Sequence, residues 1–169
     1  MKKTLLLFAF IAWGAVVQAQ DTAIVKQQAQ IMLTAFLKGD LNTLVNYTYP
    51  KVVSMMGGKE KMMSMIKTGT EKMKEVGTSF RSGTIGKVSK IYPSGKELHC
   101  TVDQNLIMGV KGGYLTTDSQ LLGISGDNGK TWTFITLSNL NSTQLKQLFP
   151  EFNKAIVVKK AAPPVFHEE

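Results

Sequence analysis

Apolar positions recur at helical spacing through the first half of the chain and alternate with polar ones through the second. In 22–37, TAIVKQQAQIMLTAFL, Ile24, Gln28, Ile31 and Ala35 fall on one line and Val25, Met32 and Phe36 on a neighbouring one, which predicts a helix. Gly39 is placed to end it, and Asp40 to cap a second helix, DLNTLVNYT, that stops before Pro50. A third helix is predicted after Gly57-Gly58, with Met62, Ile66, Met73 and Val76 as its apolar stripe. Gly69 lies inside that stripe, where glycine costs about 1 kcal/mol relative to alanine; close packing of the helix on a sheet is one reason to keep it. After Gly77 the period changes to that of strands. Segments 79–92, 97–108, 114–125 and 131–137 are separated by the turn sequences PSGK, VKGG and GDNG, so consecutive strands are expected to pair as antiparallel hairpins. STQLKQLF (142–149) reads as a short last helix with Ser142 as its cap, and the chain closes on an extended, partly mobile tail.

Pairing these strands makes the pattern more specific. A hairpin centred on Lys111 sets Leu98 opposite Ile124, Cys100 opposite Leu122, Gln104 opposite Asp118 and Met108 opposite Tyr114. A second, centred on Asn128, sets Ile124 opposite Trp132, Leu122 opposite Phe134 and Gln120 opposite Thr136. Both registers collect Leu98, Cys100, Val102, Leu106, Leu122, Ile124, Trp132 and Phe134 on one apolar side. The other side carries His99, Thr101, Asp103, Asn105, Thr117 and Ser119. Three helices followed by a curved antiparallel sheet of about four strands, with one apolar face, make an α+β roll.

Residues 1–19 stand apart from this plan. MKKTLLLFAFIAWGAVVQA has two lysines, an apolar run from Leu5 to Val17 and the small-residue site Val17-Gln18-Ala19, the layout of a secretory signal peptide. Its apolar run is shorter than the roughly 20 residues that span a bilayer. The expected organisation is an export signal over 1–19, a roll domain over 20–150 and a tail over 151–169, with the mature chain starting at Gln20 in the periplasm or outside the cell and holding no membrane span. No cysteine stands at the cleavage site to carry a lipid.

Cleavage leaves 150 of the 169 residues, enough for one domain burying about 68–70% of its unfolded surface without a disulfide or metal staple. Cys100, the one cysteine, has no intramolecular partner and is expected to be buried. Without Lys2 and Lys3 the lysine and arginine count falls from 20 to 18 against 12 acids, a net charge of about +6. These charges are interspersed, as in KEKMMSMIKTGTEKMKE, and no basic run is interleaved with aromatics, so a nucleic-acid partner is not expected.

The break at Gly39-Asp40, the short helix ending at Pro50, the helix led by Gly57-Gly58 and the long strands that follow resemble the nuclear transport factor two-like superfamily over roughly 22–137. That superfamily includes ketosteroid isomerases, scytalone dehydratase and polyketide cyclases. The resemblance implies a cone-like roll, and in the isomerases a buried carboxylate abstracts a proton while a tyrosine or a protonated acid holds the oxyanion.

Candidate chemistry is sparse. Ser125-Gly126-Asp127-Asn128-Gly129-Lys130-Thr131-Trp132 is similar to the Asp box of sialidase propellers, but a single copy reads as a tight hairpin whose Trp132 anchors the return strand. Met55, Met56, Met62, Met63 and Met65 are soft ligands suited to Cu(I), or core and pocket lining. His99 and Asp103 share a strand face, but four residues separate their backbones by about 13 Å, too far for a direct hydrogen bond, and they read as polar surface. On the paired registers, Gln104, Tyr114, Asp118, Gln120 and Thr136 gather on the apolar face away from Trp132, as the polar groups of a small-molecule pocket do. The expectation is a non-catalytic module that binds a small apolar ligand or a protein partner there, without metal or cofactor, with a homodimer through the sheet as a further option. The alternatives are a lyase or isomerase with Asp118 as general base and Tyr114 at the oxyanion, and Cu(I) handling by the methionines.

Overall fold

Val25, Ala29, Met32 and Leu33, spaced for one helical face, are all buried along α1 (Thr4–Lys38) in the computed structural model of the chain. The structure describes residues 4–138 and 140–169, with side chains from Asp21 onward. The expected export segment and its cleavage site thus lie outside the residues whose side chains are described. Among the described residues no helix is long and apolar enough to cross a membrane.

Gly39, at φ +73°, ends α1 in a backbone region that favours glycine, and the Asp40 carboxylate accepts from the Thr43 N–H at 3.1 Å to cap α2 (Leu41–Asn46). Pro50 does not act as the expected stop. It opens a separate helix, α3 (Pro50–Met55), at the first helical position, where its missing N–H has no partner to lose. Then comes α4 (Lys59–Glu75), which has no buried residue; Met62, Met63, Ile66 and Met73 are half-buried and Met65 is exposed. A β-carbon at Gly69 would meet nothing within 4 Å, so close packing does not account for that glycine.

The remaining chain is an open antiparallel sheet with five helices around it, an α+β fold. Its strands are β1 (Ser79–Val88), β2 (Tyr92–Ser94), β3 (Glu97–Val110), β4 (Gly113–Ser125), β5 (Thr133–Thr136) and β6 (Val165–Glu168). The path runs β1-β3-β4-β5; β2 extends β3 beyond β1, and β6 pairs with β4. The tail is therefore not wholly extended chain outside the sheet. The last helix, α5 (Ser142–Leu148), is capped one residue earlier than expected: Asn141 and Gln144 form a reciprocal capping box.

Both hairpin registers differ by one residue from those expected. Leu98 pairs with Ser125, Cys100 with Gly123 and Gln104 with Ser119; Gly123 pairs with Phe134 and Leu121 with Thr136. The turn between β3 and β4 has two residues, Lys111 and Gly112, closed by the Val110–Gly113 pair, and so has no single central residue. A one-residue slip exchanges faces. Leu122 and Ile124 consequently leave the face of Leu98 and Cys100 and join His99 and Thr101, while Thr117 and Ser119 move the other way.

This slip is tolerated because both faces are covered. On one, Val25, Ala29 and Leu33 of α1 pack against Cys100, Val102, Leu121, Trp132 and Phe134. Gly123 makes room there: a β-carbon would stand 3.1 Å from Cys100 Sγ and 3.4 Å from Trp132 Cε3. On the other, Leu122 and Ile124 pack with Leu137, Leu148 and Phe149, so the C-terminal segment closes a second core. Gln28 ties α1 to the β4–β5 hairpin by donating to the Lys130 carbonyl at 3.0 Å and accepting from the Trp132 N–H at 2.7 Å.

Candidate functional site

Where the C-terminal segment crosses the second face, three side chains meet. Asp103 of β3 and Gln120 of β4 are cross-strand partners, and Gln120 Nε2 donates to Asp103 Oδ1 at 3.3 Å. Lys159 Nζ pairs with Asp103 Oδ2 at 2.6 Å, and the Lys159 backbone N–H donates to Gln120 Oε1 at 3.0 Å. Gln120 is buried and so committed on both ends of its amide. The Lys159 head is 62% exposed, so its ion pair is screened and contributes at most about 1 kcal/mol. The segment is thus held at this point mainly by one backbone bond to a buried amide.

Two hollows flank this junction and share Asp103, Gln120 and Lys159. The larger, about 520 Å³, lies between the end of β1 with the connection to β2 on one side and residues 155–157 on the other, over Thr101. Its near wall is fixed by a reciprocal pair: Ser89 N–H donates to the Thr101 carbonyl at 2.8 Å, and Thr101 N–H donates to Ser89 Oγ at 2.9 Å. Val88, Ile91, Ile156 and Val157 supply apolar surface, Lys87 and Lys90 stand on the near wall, and Asp21 and Thr22 of α1 form the rim. Thr101 is 5% exposed, and its hydroxyl makes no hydrogen bond among the described residues. The smaller hollow, about 440 Å³, is bordered by Gln104, Asp118 and Gln120 of the sheet and by Lys160.

Of the five residues singled out by the sequence, Gln104, Asp118 and Gln120 border the smaller hollow, and Tyr114 and Thr136 do not. Tyr114, Asp118 and Gln120 lie on the face crossed by the tail; Gln104 and Thr136 lie on the α1 face, with Ser119 and Leu121. Tyr114 is taken up by His167 of β6, stacked at a ring separation of 4.7 Å, and Thr116 Oγ1 is 3.0 Å from His167 Nε2. Asp118 is exposed and accepts from Asn105 Nδ2 at 2.9 Å. Gln104 is buried and accepts from Ser119 Oγ at 3.2 Å. Thr136 is half-buried against Leu121. Sequence reasoning found Gln120 but missed Asp103 and Lys159 as its partners. The signal was thin: Lys159 sits in a tail with no periodicity, and nothing in its spacing points to β3.

His99 is not polar surface. It is 1% exposed, with its ring edge-on to Phe149 at 5.2 Å, its Nε2 3.0 Å from Glu97 Oε2, and its Nδ1 without a hydrogen-bond partner among the described residues. Tyr49 donates to the other oxygen of Glu97 at 3.0 Å. Burial, reinforced by the Glu97 carboxylate, pushes the Tyr49 hydroxyl up to about 12, so it stays a donor at neutral pH. This array holds the second core together and borders neither hollow. Cys100 is fully buried, and burial pushes its thiol up to about 12.

The Asp-box-like segment is a hairpin loop. Asp127 accepts from the Thr131 N–H at 2.9 Å, the Lys130 N–H at 3.1 Å, the Thr131 hydroxyl at 2.7 Å and the Ser125 hydroxyl at 2.8 Å. These bonds, those from Thr131 foremost, hold its carboxyl down at about 2. Among the methionines Met55 is 70% and Met65 50% exposed, whereas Met62 and Met63 are half-buried. Among the described residues no three His, Cys, Asp or Glu side chains are grouped to hold a metal ion. No family model matches the chain, and neither the curated proteins nor the solved structures contain a match to it.

Proposed function

We propose that the chain is an exported, non-catalytic binding module, a cone-like roll of the nuclear transport factor two-like type, that takes a small and largely apolar ligand. The observation that carries this reading is the hollow of about 520 Å³ beside the Lys159–Asp103 junction. Its volume is in the usual range of small-molecule sites, and it combines aliphatic walls with a few fixed polar groups on its floor. The floor comes from rigid strands and the far wall from the C-terminal segment, so ligand and segment stabilise one another.

Fluorescence titration of the mature chain with 1-aminoanthracene, a neutral apolar probe, tests the reading. One-site binding is expected, and Val157→Asp, an exposed substitution on the apolar wall, is expected to weaken it at least tenfold without shifting the thermal melt. Absence of binding, or binding indifferent to Val157→Asp, overturns the proposal.

A further inference from the structure

We infer that the ligand of the larger hollow is an anionic amphiphile, a long-chain carboxylic acid being the simplest example. The inference rests on the hollow being the binding site and adds the class of molecule. It comes from how the charges around the hollow are spent. Asp103 is neutralised by Lys159 at 2.6 Å. Lys87 and Lys90 line the same wall and have no ion-pair partner among the described residues, which leaves two ammonium groups against the single carboxylate of Asp21 on the rim. Val88, Ile91, Ile156 and Val157 supply the apolar part of the same lining.

The unbonded hydroxyl of Thr101 on the floor is a donor for an oxygen of the head group. A carboxylate accepts from it and from a lysine at once, and charge-assisted bonds of this kind are about twice as strong as neutral ones. The hydrocarbon body then covers the aliphatic wall. A cationic head would meet Lys87 and Lys90, and a neutral one would leave their charges unused.

The test compares decanoate with decan-1-ol by titration calorimetry of the mature chain at low ionic strength, both kept below their aggregation limits. Decanoate is expected to bind at least tenfold more tightly, and the difference is expected to shrink to less than threefold in the Lys87→Gln/Lys90→Gln double variant, which changes only exposed side chains. Thr101→Val is expected to weaken decanoate more than decanol. Equal affinity for the two probes overturns the anionic class and leaves the hollow as a site for neutral apolar ligands. A preference for decanoate that persists in the double variant overturns the role of the two lysines. If neither probe binds, the hollow itself is not the site.

Discussion

Lys159 donates its backbone N–H to the side-chain oxygen of Gln120, so a residue from the last dozen of the chain is fastened to the middle of the central strand pair. The bond decides where the far wall of the larger hollow stands. Gln120→Ala removes it and frees Asp103 Oδ1. A neutral hydrogen bond contributes about 1 kcal/mol. Exchange of the Lys159 amide is therefore expected to accelerate about fivefold or more, with the amides of Val102 and Leu121 unaffected. Equal exchange in the variant and the parent would show that the segment is fastened elsewhere.

Trp132 is 1% exposed between α1 and the sheet, and its Nε1 donates to the Gly129 carbonyl at 3.0 Å. Trp132→Ala is expected to cost about 3–5 kcal/mol, the range for loss of a large buried aromatic. Urea melts measure this, and a cost below about 1 kcal/mol would mean the α1 face is not the main core.

Asp127 sets part of the acid response. Its carboxyl is held at about 2 in the folded chain against about 3.9 when unfolded. A depressed folded value stabilises above the unfolded one and is lost as pH falls through the folded one, so this contribution fades between about pH 4 and 2. Asp127→Asn is expected to melt below the parent at pH 6, with the gap closing as the pH falls to 2. Asp40, also held below its ordinary range by its bonds to Thr43, keeps some acid dependence in the variant. A gap constant from pH 6 to 2 contradicts this role.

Cys100 is fully buried, with its thiol pushed up to about 12. A disulfide reagent at pH 8 is expected to leave it unmodified in the native chain and to label it fully in urea. Rapid labelling of the folded chain would place it at the surface.

Much of the fold is legible in the sequence because each helix has its own punctuation: Gly39 and Asp40 mark one boundary, and Gly57-Gly58 precede another. Register is less legible. Its usual guide is that a slip moves apolar side chains into water, and here a slip moves Leu122 and Ile124 from the α1 core into one made with Leu148 and Phe149. A sheet covered on both faces gives the same apolar count in either register, and the two-residue turn at Lys111-Gly112 then decides. The site is less legible still. Thr136 parts from Gln120 with the register, and the far wall comes from residues 155–159, whose position depends on Gln120 and Asp103 rather than on any local pattern.

Asp118 is the discriminating residue for catalysis. It is exposed at the border of the smaller hollow, with Asn105 as its partner. On the binding-module reading, Asp118→Asn retains the parent's affinity for 1-aminoanthracene within twofold. Turnover of a steroid-like or polyketide-like ketone that disappears in Asp118→Asn would instead favour an enzyme.

The most direct test of the account is a ¹H–¹⁵N spectrum of the mature chain titrated with decanoate. The predicted result is saturable shifts at the backbone amides of Ser89, Thr101 and Lys159 and at the side-chain amide of Gln120, with α4 unmoved. Shifts confined to α4, or none at saturating probe, would contradict a binding site between the β1–β2 connection and the C-terminal segment.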